Sequence, residues 1–140
     1  MAITLKRNLT ILSDTAHLKE VRDFVGQVVR ASEVGADLQN RLVLAIDEAV
    51  TNIIKHAYEE GRKDAVDLRI DVSPSRFEVV IHDRGKSFNP SALQDLEITA
   101  HVQAGRTNGL GVFLMRQIMD EVEYVFKEGI RNELRMVKYL

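Results

Sequence analysis

The chain has 140 residues, a length that can bury one hydrophobic core without disulfides or a structural metal. Hydrophobic residues make up 45% and charged residues 29%, which is typical of a folded globular protein and not of a disordered or membrane-spanning chain. The net charge of −2 argues against nucleic acid or a membrane as partner, and the absence of cysteine excludes disulfides and thiolate chemistry. The length predicts one domain over residues 1–140. Because the first residues also lack the apolar run of a signal peptide, we expect the protein to be in the cytoplasm.

The first two elements are predicted to be a strand and a helix. Apolar and polar residues alternate over residues 3–11, as they do in a half-buried strand. Ser13 or Asp14 is the predicted N-cap of the helix that follows, and Gly35 is its predicted stop.

The second helix is predicted over residues 38–60, with Asp37 as its N-cap. At 100° per residue, one stripe of this helix is apolar and is expected to face the core: Leu42, Ile46, Ala49, Ile53 and Ala57. A neighbouring stripe is partly polar: Leu44, Glu48, Asn52, Lys55 and His56. This polar stripe fits a solvated helix face. This helix alone favours the solvated face, but the stripe also fits a site in which a carboxylate, an amide oxygen and two cations surround a magnesium-bound phosphate.

Strand patterns dominate the rest of the chain. Residues 65–83 predict an antiparallel hairpin, and residues 121–128 and 131–140 predict two closing strands. Between them, residues 84–108 lack a clear pattern and are interpreted as a long loop of the kind that forms a lid. An apolar helix follows. The order predicts an α+β two-layer sandwich, in which helices cover one face of a mixed, mostly antiparallel sheet.

Two glycine-containing stretches add candidate ligand contacts. Asp83 ends a predicted strand and is followed by Gly85, so its carboxylate could accept a hydrogen bond from the amine of a base while glycine lets the backbone approach. Gly109 and Gly111 open a helix whose unpaired N–H groups suit phosphate. Each stretch alone also fits an ordinary turn. The second is neither a Rossmann fingerprint nor a P-loop.

Taken in order, these motifs resemble those of the GHKL ATPases, the superfamily of gyrase, the heat-shock chaperone, histidine kinases and MutL. The stretch "DEAVTNIIKHAY" is similar to the N box, "HDRGKSF" to the first glycine box and "TNGLG" to the second. Within the superfamily, "GLGVFLMRQIMDEVEY" resembles the small bacterial anti-sigma-factor serine/threonine kinases. The resemblance implies a Bergerat-type ATP-binding fold, ATP and Mg²⁺ as cofactors, and a homodimer.

The resemblance also implies roles for individual residues. Glu48 would be the general base, Asn52 the ligand of Mg²⁺, and Asp83 the acceptor for the adenine amino group. The remaining nucleotide contacts are implied for Lys55, His56, Gly85, Arg106, Gly109, Leu110 and Gly111.

The function implied is that of an ATP-dependent serine/threonine protein kinase that acts as an anti-sigma factor. Its substrate would be a small anti-sigma-factor antagonist, and a sigma factor would be its second partner. Two alternatives stay open. Ser87 and Asn108 stand where many relatives have glycine, which favours a switch module that binds nucleotide without transferring phosphate. An interaction domain that binds no nucleotide is the other.

Overall fold

A computed structural model describes residues 4–32, 34–57, 63–84, 115–127 and 131–140 of the chain. Within these residues, one sheet contains the strands β1 (Leu5–Leu12), β2 (Ala65–Ser73), β3 (Arg76–Asp83), β4 (Glu121–Lys127) and β5 (Arg131–Tyr139). The two long helices are α1 (Leu18–Ala31) and α2 (Ala36–Ala57), and residues 115–118 are also helical. The predicted α+β sandwich is confirmed.

The strands lie in the order β1-β2-β3-β5-β4, and each pair of neighbours is antiparallel. The predicted hairpin over residues 65–83 is confirmed, with residues 74 and 75 as its turn. The two predicted closing strands also pair with each other. Because β5 inserts between β3 and β4, strand β3 has a hydrogen-bonded neighbour on both sides.

One face of the sheet and the apolar stripes of the helices form a single core. Alternate strand residues enter it, as period-two patterning requires: Val66, Leu68, Ile70, Val72, Phe77, Val79, Ile81, Leu134 and Met136. The predicted core stripe of α2 is confirmed for Leu42, Ile46, Ala49 and Ile53, while the side chain of Ala57 lies outside the described residues. We call the helix-covered side of the sheet the inner face and the other side the outer face.

Asp14, one of the two predicted N-caps, caps the 3₁₀ turn before α1 and not α1 itself, whose N-cap residue is His17 and makes no side-chain cap hydrogen bond. The Asp14 carboxylate accepts a hydrogen bond from the Ala16 backbone N–H at 2.9 Å and caps the short 3₁₀ turn Thr15–His17, which leads into α1. Lys63 lies 2.7 Å from the same carboxylate. Both contacts, the backbone hydrogen bond first, hold the pKa of Asp14 below its ordinary value. The cap therefore also links the start of α1 to the residues that precede β2.

Two predicted helix boundaries were wrong. Gly35 does not stop α1, because α1 ends four residues earlier, where the Ser32 hydroxyl donates to the Val28 carbonyl at 2.8 Å. Asp37 is not the N-cap of α2, because α2 begins one residue before it and Asp37 lies in the first turn. An acidic residue there still interacts favourably with the helix dipole. Within the described ranges, no helix has the length and apolar character needed to cross a lipid bilayer.

Candidate functional site

The polar stripe of α2 descends into the interior. Leu44 is 40% exposed, Glu48 is half-buried one turn later, and Asn52 is only 8% exposed after a further turn. Lys55 returns to the surface. A solvated helix face would leave all of these side chains accessible, so the burial of Asn52 indicates that the stripe is not simply a wet surface.

The buried amide group of Asn52 is placed in a way that is unusual for a polar group in a protein interior. Its Nδ2 amide is buried and has no hydrogen-bond partner among the described residues. A buried unpaired donor costs about 1–3 kcal/mol, and such groups are few in folded proteins. A carboxamide placed in this way suits a ligand that carries several oxygen atoms, because it offers both an N–H donor and a carbonyl oxygen.

Glu48 has a free carboxylate in the described part of the chain, where no ion-pair partner reaches it. The neighbouring acid Asp47 differs, since Arg22 of α1 lies 3.3 Å from its carboxylate. The Thr51 hydroxyl donates to the Asp47 backbone carbonyl at 2.7 Å. Asp47 and Thr51 thus serve the structure of the helices, while Glu48 has no such contact.

Asp83 is the last residue of β3, and its side chain points to the inner face. It is 2% exposed, and its Oδ1 accepts a hydrogen bond from Nδ2 of Asn132 at 3.0 Å. Asn132 is itself 3% exposed and is the cross-strand partner of Asp83 on β5. A carboxylate buried this deeply needs hydrogen-bond donors to remain stable. The link to Asn132 provides one of them.

Asn132 was missed by the sequence analysis. The alternation of β5 does carry a signal, because residues 132, 134 and 136 share one face and the last two are buried core residues. What the sequence does not supply is the register that sets Asn132 opposite Asp83. His82 precedes Asp83 in β3 and points to the outer face, where its Nε2 lies 2.7 Å from Oε1 of Glu133. This hydrogen bond is the main reason that the pKa of Glu133 is below its ordinary value.

The described residues therefore place two of the three sequence motifs. Asn52 of α2 and Asp83 of β3 are both buried, and α2 contacts β3. The other predicted site residues lie outside the described residues: Gly85, Arg106, Gly109, Leu110, Gly111 and the side chain of His56. The predicted lid over residues 84–108 also lies outside them, except for Arg84.

The donors present fit Mg²⁺ only together with a ligand. No group of three or more histidine, cysteine or acidic side chains among the described residues could hold a metal ion. Mg²⁺ is commonly bound by one or two protein oxygens with waters and phosphate oxygens completing the shell. The carbonyl oxygen of the Asn52 carboxamide matches that sparse donor set as a single protein ligand.

Sequence comparison identifies a family and its relatives. The family described as a histidine kinase-like ATPase domain matches residues 11–138. The serine-protein kinase RsbW of Bacillus subtilis (strain 168) is 38% identical over 103 residues, which cover 71% of this chain and 63% of that protein. RsbW of Halalkalibacterium halodurans is 33% identical over 132 residues, covering 84% of this chain and 77% of that protein. The chain thus spans somewhat less than two thirds of the Bacillus relative.

Structure comparison supports the same fold. A solved SiaB-SiaC complex from Pseudomonas aeruginosa matches with a TM-score of 0.63 and 16% identity, over 95% of this chain and 88% of that one. A blue-light activated histidine kinase domain from Erythrobacter litoralis EL346 matches with a TM-score of 0.56 and 18% identity, over 88% of this chain and 59% of that one. At these identities the likeness establishes the fold and nothing more.

Proposed function

The chain belongs to the family of histidine kinase-like ATPase domains, and from this premise we propose that it is a serine/threonine protein kinase that uses Mg·ATP. Its substrate is a small anti-sigma-factor antagonist, and its second partner is a sigma factor that it sequesters as an anti-sigma factor. Relatives named as serine-protein kinases support this proposal. We further propose that the working form is a cytoplasmic homodimer.

The observation that carries the proposal is the buried Asn52 amide, one helical turn after the half-buried Glu48. In this proposal the carbonyl oxygen of Asn52 ligates Mg²⁺ and its unpaired N–H group donates to a phosphate oxygen. Mg²⁺ supplies charge neutralisation at the phosphates when it is bound. The amide, which has no hydrogen-bond partner among the described residues, would then gain its partners from the nucleotide.

Glu48 is the proposed general base. Its carboxylate takes the proton from the partner's serine or threonine hydroxyl while the hydroxyl oxygen bonds to the γ-phosphorus and ADP departs. The absence of an ion-pair partner within the described ranges leaves this carboxylate available as an acceptor. A general base of this kind contributes about 10²- to 10⁴-fold to a rate.

Asp83 is the proposed base-recognition residue, because its buried carboxylate can accept a hydrogen bond from the exocyclic amine of adenine. Phosphate contacts are proposed for five residues that the sequence resemblance implies: Lys55, His56, Gly109, Leu110 and Gly111. Gly85 is proposed to let the backbone approach the base, and Arg106 to reach the nucleotide or the partner protein.

Glu48→Gln tests the catalytic part of the proposal. We expect the variant to bind ATP as the natural chain does and to transfer phosphate about 10²- to 10⁴-fold more slowly. The substrate would come from a pull-down of native cell extract with and without Mg·ATP, followed by mapping of phosphoserine and phosphothreonine on the captured protein. Asp47→Asn is the matched control, since it removes the adjacent acid, which faces Arg22. Transfer by Glu48→Gln at the natural rate would refute the role of Glu48.

The same experiment distinguishes the kinase from the switch module, the alternative that Ser87 and Asn108 favour. That alternative predicts ATP binding and capture of a partner without lasting phosphate on it. Binding itself is measured by thermal unfolding, since ligand at 100 times its dissociation constant stabilises the folded state by about 2.7 kcal/mol. If Mg·ATP does not stabilise the protein, both nucleotide-binding hypotheses are excluded and the interaction domain is the one that stands.

A further inference from the structure

The end of β3 is linked to β5 by side chains on two consecutive rungs of their ladder. The rungs pair His82 with Glu133 and Asp83 with Asn132. Side chains in each pair also contact each other, at 2.7 Å for His82 to Glu133 and at 3.0 Å for Asn132 to Asp83. Because neighbouring strand residues point to opposite faces, one link lies on the outer face and the other on the inner face.

The inner link is buried. Asp83 and Asn132 are 2% and 3% exposed, so water competes little with their hydrogen bond. A hydrogen bond in the low-dielectric interior of a protein is electrostatically stronger than one in water. The bond from Asn132 therefore limits the rotation of the Asp83 carboxylate about its side-chain bonds.

The outer link joins the same two strands one residue earlier. The His82 and Glu133 side chains are 21% and 38% exposed, which makes this link weaker than the buried one. Directly opposed side chains of unlike charge or hydrogen-bonding character stabilise the pairing of two strands. The rung of Asp83 and Asn132 is the last in the β3–β5 register. Strand ends open more readily than strand centres, so links at the last two rungs oppose that opening.

We propose that Asn132, supported by the His82–Glu133 pair, is a positioning residue that fixes the direction of the Asp83 carboxylate and so sets a preference for nucleotides whose base carries an exocyclic amine. The inference rests on the proposed function, in which Asp83 accepts a hydrogen bond from that amine. A carboxylate of Asp83 held in one direction accepts a hydrogen bond from the amine of adenine. It disfavours hypoxanthine, which has a carbonyl oxygen in place of the amine. That oxygen and the Asp83 carboxylate are both acceptors, so their lone pairs would repel each other.

The inner link is tested with ATP and ITP, whose bases differ at that position. Dissociation constants for both nucleotides, with Mg²⁺, would be measured by calorimetric titration for the natural chain, Asn132→Ala and Asn132→Leu. We expect ATP affinity to fall about tenfold or more in both variants, the magnitude typical of a lost hydrogen bond to a charged group, while ITP affinity changes less. The ratio of ATP to ITP affinity therefore falls. Asn132→Leu keeps the number and branching of the side-chain heavy atoms and supplies the test if the alanine variant does not fold.

The outer link is tested by His82→Ala, Glu133→Ala and the double variant. We expect the affinity ratio to fall by up to about fivefold in each single variant, with no further fall in the double variant, since both remove one interaction. Thr10→Ala is the matched control, because it removes a different outer-face link, the 2.6 Å hydrogen bond from Thr10 to Asp67. We expect it to leave the ratio unchanged.

The outcomes separate this inference from the proposed function. Absence of ATP binding by the natural chain would overturn both. If the natural chain prefers ATP and Asn132→Leu keeps the same preference, or loses ATP and ITP affinity equally, the positioning role is wrong while nucleotide binding stands. The positioning role would also be overturned if the ratio of ATP to ITP affinity fell as much in Thr10→Ala as in Asn132→Leu. The change in the ratio would then reflect the general stability of the sheet.

Discussion

Replacing the buried amide of Asn52 should make the protein more stable and less able to bind nucleotide. Leucine has the same number and branching of side-chain heavy atoms as asparagine but has no donor that needs a partner. Asn52 is 8% exposed, and its Nδ2 has no partner in the described part of the chain. Asn52→Leu therefore removes an unpaired group from the interior without opening a large cavity.

The magnitude follows from the cost of that group. An unpaired buried donor costs about 1–3 kcal/mol, and the added apolar surface contributes in the same direction. For a domain of this size, a gain of 1 kcal/mol raises Tm by roughly 3–5 °C. We expect Asn52→Leu to raise Tm without nucleotide by about 3 °C or more, and to lose the stabilisation of about 2.7 kcal/mol that Mg·ATP gives at 100 times its dissociation constant.

The assay is thermal unfolding of both proteins with and without Mg·ATP. Thr51→Val is the control, since it removes a hydroxyl from the adjacent residue while keeping its shape. That hydroxyl donates to the Asp47 carbonyl, so its loss should lower stability slightly or leave it unchanged and should not affect the response to Mg·ATP. A lower Tm for Asn52→Leu without nucleotide, or an undiminished response to Mg·ATP, would show that the amide is satisfied in the protein and does not serve a ligand.

Three further predictions concern binding, pH and packing. Asp83→Asn should lower ATP affinity at least tenfold in calorimetric titration, because a neutral amide accepts the base amine more weakly than a carboxylate does; an unchanged affinity would contradict base recognition by Asp83. The pKa of Glu133 is lowered from 4.5 chiefly by the hydrogen bond with His82, so the pair contributes stability above about pH 4.5 that is lost as pH falls through the lowered value. Urea unfolding of the natural chain and Glu133→Ala should accordingly differ at neutral pH and converge in acid, and a constant difference would refute the linkage. Phe77→Ala should lower the free energy of unfolding by about 3–5 kcal/mol, since Phe77 is fully buried, and a loss below 1 kcal/mol would mean that the core repacks around it.

Periodic patterns predicted most of the fold correctly. The alternation of β2 and β3 predicted the hairpin, because strand geometry fixes which face each residue takes. Helical spacing predicted the core stripe of α2 for the same kind of reason. These properties depend on near neighbours in the chain, and so a single sequence contains them.

Features that depend on distant residues or on competing local bonds were not predicted. Asn132 is 49 positions from Asp83 in the sequence. Only the β3–β5 register brings the two together. A general rule for glycine predicts Gly35 as the helix stop, but the Ser32 hydroxyl donates to the carbonyls of the last turn and α1 ends there first. The burial of Asn52 likewise depends on how α2 packs against the sheet and not on the helix alone.

The position of β3 has a consequence for the order in which a ligand could be recognised. Asp83 ends a strand that is hydrogen-bonded on both sides, and its last rungs are linked on both faces. The carboxylate is thus preorganised, so that a molecule touching it loses little free energy to the ordering of the protein. Adenosine, which lacks phosphates, should then retain measurable affinity, and the slow amide hydrogen exchange of β3 should be the same before and after it binds.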